Sequence, residues 1–142
     1  MKDTDAHTAA GAGWTQPVRN AVERGAVRRF ADAVGDPNPA YRSGGRAPAP
    51  PTFPCTFEYG ELAGAPFAAA GLIHGEQTYH FERPLFVGDE LLCSQRLAGV
   101  SARASGGARM TFYIVEQKGE TDRGELVFTA RLTVIRREGP PS

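Results

Sequence analysis

The sequence predicts a single α+β domain in which an antiparallel sheet wraps around one long central helix. An apolar segment from Thr52 to Leu62 carries almost no charge, which is typical of a helix buried on all sides. Further along, three segments rich in β-branched and aromatic residues follow one another, separated by short glycine-containing turns. This succession indicates an antiparallel meander with strands at Leu91–Ser101, Met110–Gln117 and Leu126–Ile135.

The other elements can be placed in chain order. Trp14–Val18 could form a short strand that ends at or just after its proline. Val22–Val34 has apolar residues at helical spacing with charges on the opposite side, so it predicts an amphipathic helix that ends at Gly35. Arg42–Pro51 is rich in Ser, Gly, Ala and Pro and indicates a surface loop. The period changes to two after Leu72, which predicts a further strand.

The start of the predicted central helix has two local signals. Thr52 is suited to the N-cap position, where its hydroxyl would accept a bond from a free backbone N–H. Pro54 fits the first turn, where its missing N–H costs nothing. The helix is therefore expected to begin at Thr52.

Length and composition limit the classes of function. The 142 residues are expected to form one domain spanning 14–137, between flexible tails at 1–13 and 138–142. Sixteen basic and sixteen acidic residues cancel, so no overall field attracts nucleic acid or an anionic membrane. Cys55 and Cys93 lack the spacing of a zinc site, so no metal is expected.

The location follows from what the chain lacks. The N-terminus has no apolar core of the kind a signal peptide needs. No stretch approaches the roughly 20 apolar residues of a membrane span. The expected location is the cytoplasm.

The loop after the first helix is the main candidate for chemistry. It reads Gly35-Asp36-Pro37-Asn38-Pro39-Ala40-Tyr41, with an acidic side chain directly after the helix and two prolines that restrict the backbone. Asp, Asn and Pro also favour turns for their own reasons, so this loop alone could be a simple helix exit. Other motifs are needed to give it a function.

Four motifs in order make the chain resemble the MaoC-like hot-dog proteins, which are (R)-specific enoyl-thioester hydratases and 3-hydroxyacyl-thioester dehydratases. The resemblance is to their fatty-acid-synthase-type dehydratase branch and covers roughly Trp14 to Arg137. The motifs that carry it are Phe30-Ala31-x-Ala33-Val34-Gly35-Asp36-x-Asn38-Pro39-x-Tyr41, Ala49-Pro50-Pro51-Thr52-Phe53, His74-Gly75-Glu76-Gln77 and Arg83-Pro84-Leu85-x-x-Gly88-Asp89. The resemblance implies a single hot-dog fold.

The resemblance also implies a chemistry. The hydratase motif of the family is Gly-Asp-x-Asn-Pro-x-His, in which the Asp and His hold and activate a water that adds to, or leaves from, an acyl thioester. Dehydration needs a base for the proton beside the thioester and an acid for the departing hydroxyl. Backbone N–H groups at the start of the central helix, here around Thr52 and Phe53, would stabilise the enolate oxygen. Asp36, Asn38 and His74 are the other expected contributors.

This chain departs from the motif at one position, because Tyr41 stands where the family has His. A phenol with an ordinary pKa of roughly 10 is a poor base at neutral pH. The Tyr form resembles non-catalytic members of the branch, which pair with a catalytic hot-dog subunit or domain that supplies the full Asp/His pair. The resemblance therefore implies an accessory subunit that gives surface to the acyl chain.

Several hypotheses remain open. The chain could be the accessory subunit of a heteromeric dehydratase acting on acyl carrier protein or coenzyme A thioesters, with no further cofactor. It could be a self-sufficient homodimer that uses Asp36 with Tyr41 or His74, or a non-catalytic thioester-binding module. A thioesterase using Glu58 or Glu61 fits the Asp-x-Asn-Pro motif less well. In each case a second hot-dog subunit is the expected partner, in a dimer or a dimer of dimers, because an uncovered sheet edge is a liability.

Overall fold

The computed structural model describes residues 13–63, 65 and 71–139. In this part of the chain, five antiparallel strands form a single sheet in the order β1-β3-β4-β5-β2. One α-helix, α1 (Arg24–Ala33), and two short 3-10 turns, Pro39–Arg42 and Phe53–Thr56, accompany it. The strands are β1 (Val18–Ala21), β2 (Leu72–Phe81), β3 (Glu90–Ser105), β4 (Ala108–Glu120) and β5 (Leu126–Glu138).

The predicted meander is confirmed, since β3, β4 and β5 are neighbours in the sheet and follow one another in the chain. β3 and β4 extend further than predicted because only Gly106 and Gly107 separate them. Both glycines have positive φ, 57° and 81°, which lets a two-residue turn match the twist of the two strands. Side chains with a Cβ would be strained there.

The first strand was placed too early by the sequence. β1 begins at Val18, directly after Pro17, because a proline cannot donate to the ladder that β1 forms with β3. Trp14 lies instead near the cations of Arg96 and Lys118, which are 4.8 and 4.4 Å from its ring centroid. Trp14 therefore anchors the chain before β1 through its ring rather than through strand pairing.

The core lies between the sheet, α1 and the Phe53–Thr56 turn. Val27 and Ala31 are the fully buried residues on α1. A series of aromatic contacts then crosses the core to the sheet, with centroid distances of 5.6, 5.6 and 6.2 Å for Phe30–Phe53, Phe53–Phe57 and Phe57–Phe128. These rings join the two layers of the domain.

The predicted long central helix from Thr52 to Leu62 is wrong. Only Phe53–Thr56 is helical, as a 3-10 turn, and residues 57–63 have no regular secondary structure. Pro54 does occupy the first turn, as expected, but the Thr52 side chain makes no capping bond. The α+β class is confirmed, whereas the helix that the sheet was expected to wrap is absent from this segment.

Side chains from β1, β3 and the chain before them hold residues 57–60, here called the tethered segment, out of a helix. The Asn20 amide bonds both the N–H and the C=O of Glu58, at 2.9 and 2.8 Å. The Thr15 hydroxyl donates to the carbonyl of Tyr59, and the Gln95 amide donates to that of Gly60. Because these backbone groups are already bonded, they are not available for helical hydrogen bonds.

Gly60 gives a second reason why the tethered segment does not form a helix. Its φ is 89°, in the left-handed region, and a Cβ there would lie 2.9 Å from the Thr15 side chain. Glycine therefore allows both the turn and the close approach of the Thr15 segment.

β2 is an edge strand with an irregularity. It pairs with β5 on one side, and Gly75 is an extra residue between His74, which faces Val134, and Glu76, which faces Thr133. This bulge keeps His74 on the same sheet face as Gln77 despite the odd spacing. We call the face that carries Phe128 and the core the inner face.

Two predictions concern the ends of the chain and its relation to membranes. Apart from Gly13, Glu138 and Gly139, the predicted tails lie outside the described residues, and β5 extends one residue past the predicted domain end. Within the part of the chain that the structure describes, no helix is long and apolar enough to cross a bilayer.

Candidate functional site

The loop that follows α1 is built by its own polar groups. The Asp36 N–H donates to the carbonyl of Ala31 at 2.9 Å, which continues the helical bonding past Gly35 at φ 75°. The Asp36 carboxylate accepts a bond from the N–H of Asn38 at 3.0 Å. Asp36 thus closes a local turn of the kind that Asp and Asn favour.

Asn38 has a similar local role. Its side-chain oxygen accepts from the Ala40 N–H at 3.0 Å and caps the 3-10 turn Pro39–Arg42. Arg42 bonds back to the Asn38 carbonyl at 3.0 Å and forms an ion pair with Asp32. The Asn-Pro part of the motif therefore positions the chain that leads to Tyr41.

Tyr41 is half-buried and packs against the main core cluster, which includes Val27 and Phe53. Its N–H donates to Asn38 O at 3.2 Å, as part of the 3-10 turn. No hydrogen bond in the described residues joins the Tyr41 side chain to Asp36. The two residues at the positions of the Asp/His pair are thus placed by one loop, and a shared catalytic role stays a prediction.

The predicted oxyanion donors lie at the Phe53–Thr56 turn. The Phe53 N–H already donates to the carbonyl of Pro50 at 2.9 Å, and the Cys55 N–H donates to that of Thr52 at 3.0 Å. Thr52 itself is exposed and Phe53 is buried. The N–H of Phe53 is therefore engaged within its own turn, and a role at an enolate oxygen stays a prediction.

His74 lies on β2, exposed, opposite Val134 in the strand register. Asp36 and Tyr41 belong to the loop after α1, on a different element, and no hydrogen bond or ion pair in the described residues connects them with His74. A role of His74 beside Asp36 and Tyr41 stays a prediction.

The second and fourth motifs meet in one cleft. The Ala49 N–H donates to Leu85 O at 2.8 Å, and Pro48 bridges to Phe86. A cavity of about 320 Å³ opens there, and its lining is mostly apolar, with Glu82 and Arg83 at its polar side. The other lining residues are Ala49, Pro50, Pro51, Phe81, Pro84 and Leu85. Such a cleft is suited to an apolar chain.

The turn between β2 and β3 holds one wall of this cleft in place. The Asp89 carboxylate accepts from Arg83 at 2.8 Å, from the Phe86 N–H at 2.9 Å and from Arg46 at 3.3 Å. Burial alone would raise the pKa of Asp89, but these donors outweigh it and hold that pKa below its ordinary value. Asp89 therefore stabilises the turn as a carboxylate.

Two inner-face residues of β2 were not singled out from the sequence. The Gln77 amide donates to the Tyr79 hydroxyl at 2.7 Å, and both side chains are half-buried. Burial, with a smaller effect of the nearby Cys55 thiol, raises the pKa of Tyr79 to about 12, although the bond from Gln77 opposes the shift. Gln77, Tyr79 and Phe81 alternate in the sequence, but only the pairing of β2 with β5 shows that they face inward.

Among the described residues, no three His, Cys, Asp or Glu side chains gather in a way that could hold a metal ion. Cys93 is buried, and burial raises the pKa of its thiol to about 12. The site is therefore composed of a polar loop, an apolar cleft and the inner face of the sheet.

These features, a curved antiparallel sheet with a Gly-Asp-x-Asn-Pro loop after its helix, define a hot-dog protein of the dehydratase type. The model of the family described as FAS1-like, dehydratase domain region matches residues 9–130, and the chain belongs to this family.

Known proteins agree with this assignment. The chain is 34% identical over 136 residues to a UPF0336 protein of Thermobifida fusca, covering 85% of this chain and 86% of that one. A UPF0336 protein of Streptomyces griseus is also 34% identical, over 143 residues, covering 88% and 91%.

Two solved structures have the same hot-dog fold. One is a C-terminally truncated HadBC (3R-hydroxyacyl-ACP dehydratase) complex from Mycobacterium tuberculosis, with a TM-score of 0.72 and 25% identity, covering 91% of this chain and 98% of that one. The other, a ChsH1–ChsH2 complex from the same organism, has a TM-score of 0.71 and 18% identity, covering 92% and 87%. At that identity, the second comparison concerns the fold alone.

Proposed function

We propose that this chain is the accessory, substrate-binding subunit of an (R)-3-hydroxyacyl-thioester dehydratase or enoyl hydratase, paired with a catalytic hot-dog subunit. The observation that carries the proposal is the state of the loop after α1. It keeps Asp36 and Asn38 but uses both side chains to build its own turns. Tyr41, at the position of the family His, packs against the core.

The chemistry of dehydration supports this assignment. The step removes a proton from carbon 2 and a hydroxide from carbon 3 of the acyl thioester, so it requires a group that takes one proton and gives another. A tyrosine with an ordinary pKa of roughly 10 is a weak base at neutral pH. A partner with a complete Asp/His pair would supply both functions, and this chain would contribute binding surface.

A subunit of this kind needs room for the acyl chain. We assign that room to the apolar cleft and to the part of the inner face near β5. The cleft between the Ala49–Phe53 and Arg83–Asp89 motifs is largely apolar. On the inner face, the tethered segment is bonded to Asn20 and Gln95, so it lies toward β1 and β3 rather than toward β5. Leu132 and Val134 of β5, on the inner face, are only half-buried. We propose that they contact the acyl chain.

The proposed partner is a second hot-dog subunit that covers the free edge of β2. One of the similar structures is a complex of dehydratase subunits, which supports a heteromeric arrangement. The edge of β2 is ten residues long and would expose unpaired backbone groups, which a dedicated partner would cover. The carrier of the acyl group would be acyl carrier protein or coenzyme A, with no other cofactor, and the location would be the cytoplasm.

A homodimeric dehydratase is the second candidate. It is favoured by the retention of Asp36 in the position that the family motif gives it. In that case Asp36 would orient a water, and Tyr41 or His74 of the same or the second copy would complete the site. A thioester-binding module without catalysis is the third.

One experiment separates the three. The chain is purified alone and together with a Gly-Asp-x-Asn-Pro-x-His hot-dog protein from the same genome, and hydration of crotonyl-coenzyme A is measured in each sample. The partner alone is the control. We expect activity in the mixture that exceeds the activity of the partner alone, and none for this chain by itself.

Two other outcomes would favour the homodimer or the non-catalytic module. Activity of the lone chain that Asp36→Ala abolishes would replace the accessory role by the homodimer. Activity of the mixture no higher than that of the partner alone, together with retained binding of an acyl-coenzyme A, would favour the non-catalytic module.

A further inference from the structure

The inner face of β2 carries polar side chains where the adjacent strand carries apolar ones. Tyr79 lies opposite Ala130, Gln77 opposite Leu132, and His74 opposite Val134. Paired residues of an antiparallel ladder share a face, so these three polar groups border an apolar strip along β5. We call Tyr79, Gln77 and His74 the β2 ladder.

The β2 ladder retains a hydrogen-bond donor and an acceptor that could bind a ligand. The Gln77 amide donates to the Tyr79 hydroxyl at 2.7 Å, so this hydroxyl accepts one bond and its own proton is free to be donated. The side-chain carbonyl of Gln77 can accept. Because Tyr79 titrates far above neutral pH, its hydroxyl remains a donor under physiological conditions.

Two glutamines on the same inner face, Gln95 on β3 and Gln117 on β4, are used differently. Gln117 donates to Gln95 at 3.0 Å, and Gln95 donates to the carbonyl of Gly60. These two side chains therefore fasten the tethered segment against β3 and β4. Among the described residues, no side-chain hydrogen bond joins the β2 ladder to that segment, and both Gln77 and Tyr79 retain partial exposure.

We propose that the β2 ladder recognises oxygen substituents, hydroxyl or keto, along the acyl chain, so that the preferred substrates are oxygenated acyl thioesters. This inference rests on the proposed function, because it places the acyl chain on the inner face of this subunit. The half-buried Leu132 and Val134 of the apolar strip contact the methylene groups. Gln77 and Tyr79 offer an acceptor and a donor side by side, because the Gln77 amide is bonded to the Tyr79 hydroxyl at 2.7 Å.

The free energy of desolvating Gln77 and Tyr79 favours oxygenated acyl chains over plain ones. A bare alkyl chain against Gln77 and Tyr79 would remove their free polar groups from water without a partner, at about 1–3 kcal/mol for each buried group. An oxygenated chain restores those bonds. Discrimination therefore comes from the penalty on the plain chain as well as from the gain on the oxygenated one.

The test uses the reconstituted pair of this chain and its catalytic partner. Dehydration is measured for a plain 3-hydroxyacyl-coenzyme A and for a thioester of the same length with an additional hydroxyl near the middle of the chain. The variants are Gln77→Leu and Tyr79→Phe, which remove the polar atoms and keep the volume. Thr78→Val, on the same strand but on the outer face, is the matched control.

We expect the two ladder variants to lower kcat/KM for the oxygenated substrate by about 10-fold, mostly through KM, because each loses one hydrogen bond to the substrate. The plain substrate should be unaffected or improved, and Thr78→Val should leave the ratio unchanged. A parallel loss for both substrates, or no change in their ratio, overturns the inference while leaving the proposed function intact. If the wild-type mixture is no more active than the partner alone, the proposed function fails and the inference fails with it.

Discussion

Arg83 and Asp89 form the ion pair that closes the turn between β2 and β3, with the guanidinium 2.8 Å from the carboxylate. The Asp89 side chain is 9% exposed, whereas Arg83 retains 35%. The same carboxylate oxygen accepts the N–H of Phe86, so one acidic group fixes both ends of the turn. The turn between β2 and β3 also supports Leu85, which is buried in the core and lines the cleft.

Asp89→Asn should destabilise the protein by about 2–3 kcal/mol, because it removes a charge-assisted bond at a buried acceptor and leaves the Arg83 charge without its partner. Urea unfolding followed by the fluorescence of Trp14 measures the change. Asp122→Asn is the matched control, since Asp122 also pairs with an arginine, Arg19, but is 65% exposed and should cost no more than about 1 kcal/mol. Equal effects of both substitutions would contradict the structural role of Asp89.

Stability should also fall in acid through Asp89. Its pKa is held below the ordinary value in the folded protein, so the unfolded chain takes up a proton at a higher pH than the folded chain does. The stability contributed by this carboxylate is therefore fully present above the ordinary pKa of about 4 and is lost as pH falls through the folded value. In urea unfolding at a series of pH values, Asp89→Asn should have a flatter profile than the wild type below about pH 5. Identical profiles would remove Asp89 as the group responsible.

Asp36→Ala tests whether the loop after α1 is structural or catalytic in this chain. Loss of the bond to the Asn38 N–H should lower the free energy of unfolding by about 1 kcal/mol, as for other capping side chains. The dehydratase activity of the mixture with the partner should stay within about twofold of wild type. A general acid or base would instead contribute about 100-fold or more. A fall of that size in an otherwise folded complex would place Asp36 in the chemistry.

Gly119→Ala should be strongly destabilising. Gly119 lies on β4 directly opposite Phe128, and an added Cβ would overlap the Phe128 ring, which is fully buried. Overpacking of this kind typically costs about 1–3 kcal/mol. Gly99→Ala, also in the sheet, is the control, since its Cβ would meet Ile114 at an ordinary 3.8 Å. Thermal unfolding by circular dichroism should separate the two variants, and equal melting temperatures would count against the close contact.

The sheet was predictable from the sequence because its signals are local. Alternating apolar residues and short turns such as Gly106-Gly107 define β3, β4 and β5 without reference to the rest of the chain. Helix α1 was predictable for the same reason, from the helical spacing of Val27 and Ala31.

The central helix could not be predicted correctly, because its absence is decided by distant residues. The segment after Thr56 is apolar and aromatic, as a buried helix would be. However, Thr15, Asn20 and Gln95 bond its backbone, and they lie 35 to 44 positions away in the chain. Such tertiary contacts override local propensity.

The candidate site was partly predictable. The motif groups Asp36, Asn38 and Tyr41, and in the structure they lie in the loop after α1, where a functional role stays a prediction. His74 belongs to a different element, β2, where it lies opposite Val134 in the register. Gln77 and Tyr79 were not chosen as site residues, because alternation alone does not show which face of a strand points inward, and only the pairing of β2 with β5 decides it.

The bulge at Gly75 also shapes what can pair with β2. It divides the free edge into two straight portions, 72–74 and 76–81, set at an angle to each other. A flat, regular strand can follow one portion but not both, so it forms only a short ladder. The edge of β2 therefore pairs best with a strand that bends at the matching position, and its irregular outline discourages unselective strand addition.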